Sequence, residues 1–236
     1  MAGRIRTITT ATHTRMRQAA GSALVPLVAT MPLLAALLSA PANATANAAA
    51  PAVVVTDTSR TVWAWLNPVA EPGWRGVVQV QESTLSDGRA TLSRVSTLTM
   101  NIWRRTCDIS GCLETVMSAS DLPLTSRAWA ADLRTAKAGV SNAAVRVQLY
   151  RVTGSALIAL DDMVRLTTVS ISATSSEQEF AQSSSAKGSG VTTITRLRRM
   201  SAQATVAVGA LRLPASQASI AQATSLTTAV KPARSR

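Results

Sequence analysis

Residues 76–83 read GVVQVQES, and their alternation decides the fold. Val78 and Val80 project to one side while Gln79 and Gln81 project to the other, as in a strand with one face buried and one wet. Ser86-Asp87-Gly88 follows as a hairpin signal, because Asp-Gly accepts the positive φ that tight turns need. The chain returns through residues 90–95 and 97–105. There Leu98, Met100 and Ile102 share one face, and Thr97, Thr99, Asn101 and Trp103 share the other.

The same grammar extends both ways. Upstream lie Thr61–Leu66 (TVWAWL) and a short run, Val53–Val55, suited to an edge strand. Downstream are strands at 113–118, 126–131, 144–152, 156–160, 164–173, 191–197 and 202–213, separated by turn signals. Thr153-Gly154-Ser155 and Asp161-Asp162 read as turns. Leu133–Val140 is ambiguous between a strand and a helical turn. In 164–173 the apolar phase slips, with Val164 and Leu166 even and Val169 and Ile171 odd, which predicts a bulge near Thr167-Thr168. Residues 174–190 are Ser-rich and read as a long mobile loop. About nine or ten short strands of this kind predict an all-β, antiparallel β-sandwich or open barrel. The expected organisation is one domain at 61–215, preceded by a tail or edge strand at 45–60. A weak strand and a basic disordered tail follow at 216–236.

Ahead of all this, residues 23–38 (ALVPLVATMPLLAALL) carry no charge. Arg4, Arg6, Arg15 and Arg17 precede them and small residues follow, the layout of a secretory signal peptide. The run is shorter than the about 20 residues of a spanning helix and contains Pro26 and Pro32, so cleavage is expected and no membrane span remains. Ala42-Asn43-Ala44 is the preferred site, ahead of Ala46-Asn47-Ala48. Removing four arginines from a balance of 24 basic and 12 acidic residues leaves the exported chain at +8. His13 is the only histidine and lies in the signal. The exported chain therefore lacks the imidazole of Ser-His and Cys-His pairs and of common zinc and copper sites, and no cofactor is expected.

Cys107 and Cys112 flank a turn in this exported chain and read as one disulfide stapling a hairpin. Trp63 and Trp65, two apart, share a strand face. The reading favours core, with a sugar-stacking platform as the functional alternative. Trp103 is the better ligand candidate, placed among Thr97, Thr99 and Asn101 and beside Arg104 and Arg105. Arg196, Arg198 and Arg199, with Arg212 nearby, would suit an anionic envelope polymer through bidentate hydrogen bonds. Nucleic acid fits poorly, since export removes the target and aromatic interleaving is absent. Asp161/Asp162 and Glu177/Glu179 are the only close carboxylate pairs for glycosidase chemistry. Ser184-x-x-Lys187 matches a bare acylase pattern without its companion motifs.

Leu133-Arg134-Thr135-Ala136-Lys137-Ala138 ahead of AVRVQLYRV, then VRLTTVSISA, a Ser/Gly stretch, and Arg198 to Ala204 (RRMSAQA) together resemble a loose group of secreted, β-rich bacterial proteins. The resemblance implies an exported compartment and a β-rich fold, and brings no activity. That group's usual tryptophan is replaced here by Leu166-Thr167-Thr168-Val169. The leading expectation is an exported, non-enzymatic β-sandwich protein that binds a glycan or an anionic envelope polymer. The alternatives are a carboxylate-dependent glycoside hydrolase and a protein–protein module, an inhibitor or adhesin, using the Asp108–Gly111 loop.

Overall fold

A computed structural model of the protein describes residues 53–68, 73–188 and 190–229, with the side chains of 177–179 not described. The expected signal segment, the residues up to 52 and the basic tail from 230 lie outside the described residues. Ten strands follow in order: β1 (Val53–Leu66), β2 (Arg75–Ser86), β3 (Thr91–Asp108), β4 (Gly111–Pro123), β5 (Ser126–Trp129), β6 (Thr135–Thr153), β7 (Ala156–Gly188), β8 (Val191–Val208), β9 (Leu211–Pro214) and β10 (Gln217–Ala229).

All pairings are antiparallel. Hydrogen bonding runs β1–β2–β3–β4–β6–β7–β8, then through β10 back to β1, so the sheet closes on itself in a ring of eight. The all-β antiparallel expectation therefore holds. β5 lies beside Ala136–Gly139 of β6, while β4 pairs farther along the same strand. β9 lies beside Thr205–Val208 of β8, next to the stretch held by β10.

Period two sorts the side chains. Leu98, Val80, Val62, Ile220 and Met200 are successive cross-strand partners and form one buried inner layer. Bulk is unevenly divided. β1–β3 contribute Leu66, Leu98, Met100 and Ile102, whereas β6–β8 mix Ala136, Ala138, Ala143, Ala173 and Ala204 with Val145, Val169, Ile171 and Val206. The long side chains of β1–β3 thus face a wall of alanine and β-branched residues, which lets a narrow barrel pack with few aromatics. Each fully buried Val, Leu or Ile contributes about 1.5–3 kcal/mol.

Several local expectations are corrected. Trp63 and Trp65 lie outside the core, half-buried, because Val62, Ala64 and Leu66 alternate with them and take the inner face. Asp161 and Asp162 sit inside β7, paired with Leu149 and Gln148; only Gly154 (φ 60°) marks the turn. Leu133–Val140 is not helical. Leu133 closes the β5–β6 connection at φ 62° with its side chain fully buried, and β6 starts at Thr135. The bulge near Thr167-Thr168 belongs to β6: the register shifts between Val140 and Ala143, opposite Val169 and Thr167. The apparent slip in β7 arises because Val164 and Leu166 face outward, 65% and 72% exposed, and never belonged to the core row.

Residues 174–188 are strand, not loop. Glu179–Gly188 pairs with Val191–Met200, and Gly190 turns the chain at φ 77°. Backbone pairing needs no apolar side chains where both faces meet water. The irregularity is confined to Ser175–Glu179, where the register shifts. At the far end, β10 is a full ring member of thirteen residues.

Candidate functional site

The two tryptophans of β1 stand side by side on the outer face, ring centroids 6.0 Å apart and planes inclined by 36°. Their cross-strand partners extend the same face over β2 and β3. Trp63 leads to Gln79 and Thr99, and Trp65 to Val77 and Asn101. Trp103 follows Thr99 and Asn101 along β3 and pairs with Arg75. Trp63, Trp65 and Trp103 therefore share one partly exposed surface, interleaved with amide and hydroxyl groups.

Around Trp103 the surface deepens into a groove of about 450 Å³. Gly73, Arg75, Arg105, Thr106, Cys107 and Glu114 complete its walls. Gly76 permits this arrangement. A Cβ there would fall 2.1 Å from the Asn101 carbonyl oxygen, and the backbone sits at φ 125°. β2 can therefore press against β3 and set Arg75 beside Trp103. On the other side Glu114 Oε2 accepts from Arg105 Nε at 3.1 Å and Nη2 at 2.8 Å. Arg104, on the inner face, places its guanidinium 5.2 Å from the Trp74 ring centroid, a cation–π contact.

Cys107 and Cys112 form the expected disulfide across the β3–β4 hairpin, one step from its two-residue tip. Asp108 accepts from Ser110 Oγ and Ser110 N, which holds its carboxyl below the usual carboxylate range. Ile109 at the tip is fully exposed. Sequence reasoning set Arg105 beside Trp103 but missed Arg75 and Glu114. The staple held a signal for Glu114: stepping back equally from each cysteine sets it opposite Arg105.

The three arginines of β8 are divided. Arg196 and Arg198 fall on the inner row with Met200, while Arg199 points outward. Arg212 donates to the carbonyls of Gly209 and Leu211 and closes the β8–β9 turn. The inner row below the apolar layer is polar. Ser96, Glu82, Arg60, Gln222 and Arg198 are successive cross-strand partners, followed by Arg94, Thr84, Thr58, Thr224 and Arg196.

The described carboxylate pair does not converge. Asp161 and Asp162 are adjacent on a strand and project to opposite faces. Asp162 accepts from Arg146, which holds its carboxyl below the usual range. The side chains of Glu177 and Glu179 lie outside those described. Ser184 and Lys187, three apart on β7, face opposite ways. Among the described residues no three His, Cys, Asp or Glu side chains cluster as metal ligands. No protein-family model matches this chain, and no curated protein or solved structure does either.

Proposed function

We propose that this is an exported, non-enzymatic protein that binds a cell-envelope glycan on the outer face of β1–β3. The observation that carries the reading is the shared face of the Trp63–Trp65 pair and the Trp103 groove. Aromatic rings of this kind stack on the apolar faces of sugar rings, and Gln79, Thr99 and Asn101 between them match sugar hydroxyls. The disulfide supports an oxidising compartment. An aliphatic inner layer, with Gln79, Thr99 and Asn101 on the outer side of β2 and β3, is the reverse of a lipid-spanning barrel and supports a face that meets water there. The divergence of Asp161 and Asp162 favours holding a ligand over hydrolysing one there.

Titration calorimetry with soluble envelope polysaccharide fragments tests this. Trp103→Ala, and Trp63→Ala with Trp65→Ala, should each weaken binding about tenfold, the equivalent of about 1.4 kcal/mol. Arg212→Ala, remote in role, should bind as the unaltered protein does. Unchanged affinity in both tryptophan variants would remove the proposal.

A further inference from the structure

β7 begins before its second neighbour does. From Ala156 to Thr167 it pairs with β6 on one side, and β8 joins it on the other only from Val169 onward. The β8–β9 turn caps that second ladder, where Gly209 N donates to Thr168 O at 2.8 Å. Among the described residues no strand pairs with this side of β7 before Thr168. Residues 156–166 are thus an open edge.

The cap also orients the edge. Backbone groups of alternate residues point to alternate sides of a strand. Thr168 turns toward β8, so Leu166, Val164 and Asp162 turn their N–H and C=O groups the same way, where β8 no longer runs. Asp161 bears this out: its Oδ1 accepts from Asp162 N at 2.8 Å, a side chain standing in for a missing strand. Soluble proteins ordinarily blunt such edges with lysine, proline or a covering element. The stretch ALIALDDMVRL (156–166) has neither lysine nor proline, and Leu157, Leu160, Val164 and Leu166 are exposed along it.

We propose that this edge pairs with the same edge of a second copy of the chain, antiparallel about Met163. A two-fold axis there sets Asp161 of each copy opposite Arg165 of the other, so the charge match is made twice. It also sets Leu160 opposite Leu166, and Asp162 opposite Val164 with their outward backbone groups facing. Centring the ladder on Asp161 or Asp162 would instead oppose like carboxylates. Both charges are available. Arg165 is exposed and its Nε donates to the thioether of Met163, a weak acceptor. Asp161 is released once the second strand satisfies Asp162 N. The ladder is short, 160–166. Gly209 holds the edge at Thr168, and the register shift opposite Leu149 and Tyr150 leaves Leu160 as an extra residue that bends the tip aside.

Sedimentation velocity over about a hundredfold range of protein concentration tests this, with a monomer–dimer equilibrium expected. Val164→Pro removes a donor that points away from β6. Dichroism should therefore be unchanged while association weakens at least about tenfold. Arg165→Glu opposes two carboxylates and should weaken association about as much; adding Asp161→Arg to it should restore the dimer. Trp103→Ala, on the glycan face, should associate as the unaltered protein does, which separates this result from the glycan proposal. A monomer at every concentration, or a dimer indifferent to both Val164→Pro and the charge exchange, would overturn the proposal.

Discussion

Arg60 and Glu82 are direct cross-strand partners on β1 and β2, yet they do not pair with each other. Glu82 Oε2 lies 2.8 Å from Arg127 Nε, and Oε1 lies 3.9 Å from Arg94 Nη2. The Arg127 contact is a close ion pair without a well-aligned hydrogen bond to that oxygen. Arg60 Nε instead donates to Gln222 Oε1 at 3.2 Å. One buried carboxylate thus ties β2 to β5 and β3 and leaves the guanidinium of its cross-strand partner to a neutral group.

Replacing that carboxylate measures its worth. Breaking a fully buried ion pair from one side costs about 3–5 kcal/mol. Arg127 and Arg94 keep 33% and 49% of their side chains in water, which softens the loss. Glu82→Gln is therefore expected to destabilise by about 2 kcal/mol in urea denaturation. A shift below about 0.5 kcal/mol, the range of a surface substitution, would show that the contact does not hold β5 in place.

Gly76→Ala should be far more damaging than its size suggests. The new methyl would meet backbone, the Asn101 carbonyl oxygen and the Ile102 Cα, and neither can swing aside. The positive φ adds strain independently of the clash. A loss of at least about 3 kcal/mol is expected, read as a lowered thermal midpoint. Trp103 fluorescence should respond too, since Arg75 can no longer sit opposite it.

The disulfide should matter locally. It spans five positions, so on the chain-entropy model closing the loop contributes about 2 kcal/mol. Cys107→Ala with Cys112→Ala should lower stability by that amount and leave the far-ultraviolet spectrum unchanged. Hydrogen exchange should quicken near the β3–β4 tip and stay slow in Val62 and Val80, which are fully buried. Global collapse of the sheet would contradict this.

Acid should weaken the fold in a definite window. Hydrogen bonds hold the Asp162, Asp108 and Asp87 carboxyls below their ordinary value of 3.8, from Arg146, from Ser110, and from the amides of Ala90 and Arg89 respectively. A depressed folded-state value means the stabilisation is present above the unfolded value and is lost as pH falls through the folded one. Denaturation midpoints of residues 45–236, which hold no histidine, should thus stay level between about pH 6 and pH 8 and fall below about pH 4. Asp162→Asn should remove part of that fall. A midpoint sloping steeply near neutrality would be inconsistent.

Much of this was legible because period two is a strong signal where one face is apolar. Val78/Val80 and Leu98/Met100/Ile102 announced their strands and their inward side, and the two cysteines announced their hairpin. What escaped did so for physical reasons. Val164 and Leu166 are apolar but outward, so reading apolarity as burial invented a bulge in β7. Trp63 and Trp65 looked like core because large aromatics usually are, yet the inner row already held Val62, Ala64 and Leu66. The polar inner row was half visible: Arg196 and Arg198 were singled out, but Arg60, Glu82 and Gln222 join them only through the cross-strand register, which is a non-local property.

The Ser-rich part of β7 offers the sharpest test of where composition misleads. A polar stretch such as Gln182–Lys187 (QSSSAK) buries little, and by composition alone would exchange its amides within seconds. The structure gives each residue a cross-strand partner on β8, from Gln182–Leu197 to Lys187–Thr192. β8 is held in turn by β10, where Thr193 and Thr195 share hydroxyl hydrogen bonds with Thr227 and Ser225 at 3.2 and 3.1 Å. Strand pairing on two sides of β8 should slow exchange there most. In β7, whose outer edge meets water at this point, protection should alternate between amides directed at β8 and those directed away. Residue-resolved hydrogen exchange is expected to show that alternation over 179–188, with fast exchange only near Ser176 and at the Gly190 turn. Uniformly fast exchange from Thr174 to Gly190 would mean a loop after all.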